Sequence, residues 1–133
     1  MSAKTETAGV KPFLERLAEG VVVGDGAMGT MLYARGVFIN RCFDELNLSN
    51  PALVKSVHDD YVEAGAEVVE TNTFGAQRFK LTPHGLDGQV VKINREGTRI
   101  AREAARGRAL VAGSIGPIGK PLLPFGQVTF EEA

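Results

Sequence analysis

The chain has 133 residues, 44% of them hydrophobic and 23% charged, with a formal net charge of −1. That is the length of one ordinary domain with a real core, and the composition of a soluble globular chain. The near-neutral balance gives no electrostatic footing for nucleic acid or an anionic membrane, and no apolar run approaches the ~18 residues of a spanning helix.

Residues 1–12, MSAKTETAGVKP, lack the apolar segment of a secretory signal and read as a flexible leader, with the domain over 13–133. The first strand is expected at VVVGDG (21–26), followed by GDGAMGT, which fits the template G-x-G-x-x-G. The only cysteine, Cys42, lies in the connection that follows, so an internal disulfide is impossible and a cytoplasmic location is the default. With His58 and His84 it has no convincing metal-ligand spacing.

The first clear helix starts at SNPALVKSVHDDYVEAG: Asn50 suits the N-cap, Pro51 the first helical position and Gly65 the closing position. Leu53, Val54, Val57 and Tyr61 share its apolar face, with His58 at the edge of that face. The second strand is EVVET (67–71). A second helix runs from about Asp87 to Arg106 with the stripe Val90, Ile93, Gly97, Ile100, Ala101, Ala104 and Ala105. Asn94 falls inside that stripe and is expected to bond a neighbouring loop backbone. The third strand is ALVAGS (109–114). At the end, Thr129 and Glu132 have the spacing of a capping box, so a helix is starting and the chain reads as truncated within it, at Ala133.

Strands alternating with helices predict βαβ units and a parallel sheet, whose ligands bind at the carboxyl ends of the strands. Three motifs fall there: GDGAMGT, ETNTFGA (70–76) and GSIGP (113–117). Glycine and small polar residues make ordinary βα turns, but three such ends on one rim point to a binding surface. The dinucleotide reading of the first motif fails in context. The acid expected ~20 positions later falls in a loop (Asp44, Glu45), and Asp25 would face a pyrophosphate. A carboxylate pinned between glycines suits an ammonium group, and the free backbone N–H groups beside it suit a carboxylate. The residues point to an amino acid.

DGAMGTML (25–32), ETNTFGA and GSIGP, in this order on successive strands, resemble the homocysteine S-methyltransferase family over roughly residues 14–133. The stretch RCFDELNLSNPALVKSVHDDYVEAGAEVVETNTFGA is similar to bacterial members, including those fused to a methylenetetrahydrofolate reductase and the N-terminal module of methionine synthases. The resemblance implies the N-terminal part, about three βα units, of a (β/α)8 TIM barrel. It implies an enzyme that moves a methyl group to the thiol of homocysteine, activated as a zinc thiolate, to form methionine. On the matching positions, Asp25 holds the amino-acid end of the substrate with backbone groups of Ala27 and Met28, and Asn72, Thr73 and Phe74 lie at the same pocket. Glu70 and Ser114 are weaker candidates, Glu70 being equally suited to a structural ion pair. The resemblance puts the family's zinc ligands, cysteines on later strands, beyond Ala133. No metal ligand and no catalytic residue is therefore assigned here, and the segment alone is expected to be inactive. An open sheet would expose its third edge, which predicts marginal folding, aggregation or association with the remainder of the barrel or further domains. The methyl donor is left open among methyltetrahydrofolate through cobalamin, betaine and S-methylmethionine. A nucleotide-binding α/β enzyme using GDGAMG as a phosphate loop, and a non-catalytic interaction module, stand as alternatives.

Overall fold

The computed structural model describes residues 9–133; the expectation for residues 1–8 of the leader lies outside them. The chain is mixed α/β. Its helices are α1 (Phe13–Ala18), α2 (Met28–Ala34), α3 (Leu46–Ser49), α4 (Pro51–Glu63), α5 (Arg78–Leu81) and α6 (Val90–Ala105), and its strands β1 (Val68–Glu70) and β2 (Leu110–Ala112).

β1 and β2 pair in parallel, Val68 opposite Leu110 and Glu70 opposite Ala112, with α5 and α6 in the crossover between them. The expected first strand is the point of difference. Residues 21–26 form no strand, only a parallel bridge between Gly24 and Val68, although Glu67 N–H donates to Val23 O (2.8 Å) and Asp25 N–H to Val68 O (2.9 Å). Glycines at 24 and 26 stop the ladder before it can propagate, since glycine weakens a strand interior. What survives is enough to put Asp25 beside the end of β1.

α4 follows its sequence signals closely. The Asn50 side chain accepts from Leu53 N–H (3.3 Å), Pro51 opens the helix, and Gly65 sits at φ +101°, a left-handed conformation that favours glycine. α6 starts later than expected, after a single 3-10 turn at Asp87–Gln89. Ile93, Gly97, Ile100, Ala101, Ala104 and Ala105 of its stripe are buried. α4 and α6 pack against each other and against the sheet, and Val54, Val57, Leu32, Leu46 and Ile100 form the main core cluster. The Asn94 amide donates to Ala76 O (2.7 Å) and to Val90 O (2.8 Å), a loop carbonyl and its own helix. The Thr129–Glu132 capping box forms reciprocally, at 2.9 and 3.2 Å. The helix it announces is present only as a turn, closed by Ala133 N–H donating to Thr129 O (3.2 Å).

On the side of the sheet where β1 begins, Arg16 of α1 reaches Glu67 through two nitrogens, Nε at 2.6 Å and Nη2 at 3.0 Å. Glu67 also accepts from Val23 N–H (3.1 Å), so one carboxylate gathers α1, the incoming segment and the start of β1.

His58 corrects the sequence reading: it is fully buried rather than at a face edge, and neither ring nitrogen has a hydrogen-bond partner. Burial pushes its pKa down to about 4, with Asp59 raising it and Lys55 lowering it by smaller amounts. A base with a folded pKa below its unfolded value is protonated first in the unfolded chain. Its effect on stability is therefore absent above the unfolded pKa, and stability falls as the pH drops from about 6.5 towards about 4, by about 3 kcal/mol in all. His58→Leu is expected to abolish that acid loss and to stabilise the fold at neutral pH by about 1–3 kcal/mol, because two unpaired buried polar atoms disappear. Urea midpoints of wild type and variant between about pH 4 and about pH 8 check this; parallel curves would contradict it.

Candidate functional site

The three motif-bearing ends meet around one open cleft of 630 Å³. Asp25, Ala27 and Met28 line it from the first motif, Glu70, Asn72 and Phe74 from the second, and Ser114 from the third. Thr73 is placed otherwise: it is buried and does not line the cleft.

Asp25 is half-buried, and its Oδ2 accepts from Glu70 N–H at 2.9 Å. Burial pushes its carboxyl pKa up; the Glu70 N–H pulls it down, and the Glu70 carboxylate pushes it up again. This carboxylate is held in place by a backbone donor, and burial disfavours its charged form.

Asn72 sits in a buried amide pair. Its Nδ2 donates to Phe43 O (2.8 Å) and to Asn47 Oδ1 (3.0 Å), while Asn47 Nδ2 donates to Asn72 O (2.7 Å) and Ile93 O (3.2 Å). Asn47, in α3, thereby ties the second motif to α6. Thr73 closes a different circuit. Its hydroxyl donates to Ser114 O (2.8 Å), so Thr71 is the donor in the Thr71–Thr73 contact (2.6 Å), and Thr71 Oγ1 accepts from Ser114 N–H (3.0 Å). The ring begins and ends on the Ser114 backbone and locks the second motif to the third. Phe74 is 60% exposed at the mouth, and its carbonyl accepts from Gly116 N–H (3.1 Å). A Cβ on Gly116 would lie 2.3 Å from that oxygen, so the GSIGP turn needs glycine there.

Three lining residues escape the sequence reading: Phe43, Asp44 and Lys80. Asp44 accepts from Gly75 N–H (2.9 Å), and burial pushes its pKa up, against the Gly75 N–H and the nearby His84 charge, which lower it. By sequence it is only a loop acid. Asn47 is equally hard to see, although a polar residue between two leucines in FDELNLSN is a signal that an amide would be buried.

Two glycines of the G-x-G-x-x-G template, Gly26 and Gly29, serve packing, whereas a Cβ on Gly24 would meet open space. A Cβ on Gly26 would stand 2.8 Å from the Tyr61 hydroxyl oxygen, and one on Gly29 3.2 Å from the Phe43 ring. Cys42 packs with Ala76, Leu81 and Ile93 in a separate apolar cluster, and burial pushes its thiol pKa up, away from the thiolate a metal requires. Among the described residues no group of three or more His, Cys, Asp or Glu is placed to hold a metal ion. These residues do not build a zinc site. Ala133, the position beyond which the resemblance puts the family's cysteine ligands, is exposed and does not line the cleft.

The profile of the homocysteine S-methyltransferase family matches residues 22–133. The chain belongs to the homocysteine S-methyltransferase family. Among relatives of this family member, methionine synthase of Mycobacterium tuberculosis is 36% identical over a 129-residue alignment covering 88% of this chain. Methionine synthase of Mycobacterium leprae is 37% identical over the same span. This homocysteine S-methyltransferase chain spans only 11% of the length of either. The solved homocysteine methyltransferase MmuM from Escherichia coli, metallated form, superposes with a TM-score of 0.72 at 32% identity. That superposition covers 82% of this chain and 42% of MmuM. The homocysteine S-methyltransferase family is an enzyme family, and among the described residues no helix is long and apolar enough to cross a membrane.

Proposed function

We propose that residues 13–133 form the first three βα units of a (β/α)8 barrel that binds homocysteine in an enzyme transferring a methyl group to its thiol, giving methionine. The observation that carries this reading is the Asp25 carboxylate, anchored on Glu70 N–H at the rim where all three family motifs meet. The substrate ammonium pairs with Asp25, with Glu70 close enough to add to the negative field. The substrate carboxylate takes backbone N–H groups at Ala27 and Met28, where α2 begins without a side-chain cap. Phe74 covers the aliphatic part, and Ser114 closes the far wall. Thr73 acts one layer behind, by tying the second motif to the third.

A barrel that continues past these residues is supported by two features. β2 has a free edge among the described residues, and beside it a 620 Å³ groove runs between Thr98 and Arg102 of α6 and Leu110 and Val111 of β2. The partners of this chain are then later barrel strands and further domains, in a cytoplasmic enzyme. By the family resemblance the zinc ligands are cysteines of later strands, and activation of the thiol would fall to them; no group of three or more His, Cys, Asp or Glu among the described residues is placed to hold a metal ion.

The test is calorimetric titration of L-homocysteine into the full-length protein, with a methyl-transfer assay on the 133-residue chain alone. Homocysteine binding by the whole protein and no zinc-dependent transfer by the chain are expected. Zinc-dependent turnover by the chain would overturn the division of labour, and absence of homocysteine binding would overturn the function.

A further inference from the structure

The Asn47–Asn72 pair determines which atom of Asn72 a ligand meets. Asn47 is 1% exposed and its amide orientation is dictated chemically: Nδ2 faces two carbonyl oxygens, of Asn72 and Ile93, and only a donor can sit there. Its Oδ1 is thereby left to face Asn72 Nδ2. Asn72 is fixed the same way, because Nδ2 lies 2.8 Å from the Phe43 carbonyl and 3.0 Å from Asn47 Oδ1. Both of its amide protons are spent on protein.

The remaining polar atom is Asn72 Oδ1. It makes no hydrogen bond among the described residues and is not among the buried unpaired atoms, so it opens on the cleft that Asn72 lines. We infer that Asn47 is a positioning residue that holds the Asn72 amide with its carbonyl oxygen towards the cleft, making Asn72 an acceptor that reads the ammonium group of the amino-acid substrate. An amide free to turn would offer either a donor or an acceptor and would select neither. Held this way, it joins the Asp25 and Glu70 carboxylates in a wall made of acceptors. The inference rests on the homocysteine reading above.

The test compares L-homocysteine with 4-sulfanylbutanoate, the same molecule without its ammonium group, by calorimetry on the full-length protein. Wild type prefers homocysteine. Asn47→Ala, distant from the ligand, is expected to cut that preference by roughly tenfold while leaving 4-sulfanylbutanoate affinity nearly unchanged. A merely structural role would weaken both ligands alike and leave the ratio intact, and that result overturns the inference. Wild type binding neither ligand would overturn the homocysteine reading and this inference with it. If the alanine variant does not fold, nuclear magnetic resonance on wild type decides. The Asn72 side-chain NH₂ should exchange slowly with water both free and with homocysteine bound, while its carbonyl carbon shifts on binding. An NH₂ that exchanges freely, or that contacts the ligand, overturns the inference.

Discussion

Asp25→Asn is expected to weaken L-homocysteine binding by roughly 10- to 100-fold, the loss of a hydrogen bond between charged partners worth about 1.5–3 kcal/mol. Asparagine has the same shape and keeps an oxygen for the Glu70 N–H, so the strand end that Asp25 anchors stays in place. What disappears is the charge. The pH dependence gives a second signature. Burial holds the Asp25 pKa above the ordinary 3.8, so the carboxylate gains its proton earlier as the pH falls. Homocysteine affinity in wild type should fall through that range, and in the variant it should be flat. Calorimetry at several pH values reads both effects; equal affinity and an equal pH profile would sink the assignment of Asp25 to the ammonium.

The folding linkage of Asp25 and Asp44 has the opposite sign from that of His58. Their folded pKa values are raised, so the folded state holds its protons longer than the unfolded chain. Stability from these two groups is present below the unfolded value near 3.8 and is lost as the pH rises through the folded ones. The acid loss from His58 runs against it over neighbouring pH values, which is why the His58→Leu comparison isolates the imidazole.

Gly97→Ala should destabilise the α3–α6 contact by about 2–4 kcal/mol, and it should also damage homocysteine binding. Intrinsic helix propensity argues the other way, favouring alanine over glycine in a helix interior by about 1 kcal/mol. Packing wins. A Cβ at position 97 would stand 2.6 Å from Asn47 Nδ2 and 2.7 Å from Thr73 Cγ2. Both neighbours are buried, at 1% and 5% exposure, and both are held by hydrogen bonds that would break if they moved. Overpacking of about 1–3 kcal/mol is therefore joined by the strain or loss of buried hydrogen bonds. Hydrogen exchange of the α3 and α6 amides in the full-length protein measures the local stability, and homocysteine titration measures the site. Unchanged protection would mean that α6 shifts without cost.

Much of this protein is legible along the chain, because its signals are local. Asn50, Pro51 and Gly65 bound α4 through groups close to its two ends, and the α6 stripe follows from helical period alone. The Thr129–Glu132 capping box is a pair three residues apart. The three motifs could be placed on one rim because parallel βα units put every strand's carboxyl end on the same side. Their family likeness rests on quoted residues in order.

What the chain could not announce depends on partners far away in sequence. The 21–26 segment reads as a strand by composition, yet strand pairing is a property of two segments, and its glycines leave it a single bridge to Val68. His58 lies at the margin of the α4 stripe by period, yet the packed fold buries it completely, which the pattern of α4 alone does not indicate. Thr73 sits between two cleft residues in ETNTFGA, and only the return of Ser114, 41 residues later, turns it inward. Asn47 lies 25 residues from Asn72, and nothing near either one signals that their amides exchange hydrogen bonds. Local hydrogen bonds and helical period are written in short windows of sequence. The direction in which a polar side chain finally faces is set by which distant carbonyl it must satisfy once water has been excluded.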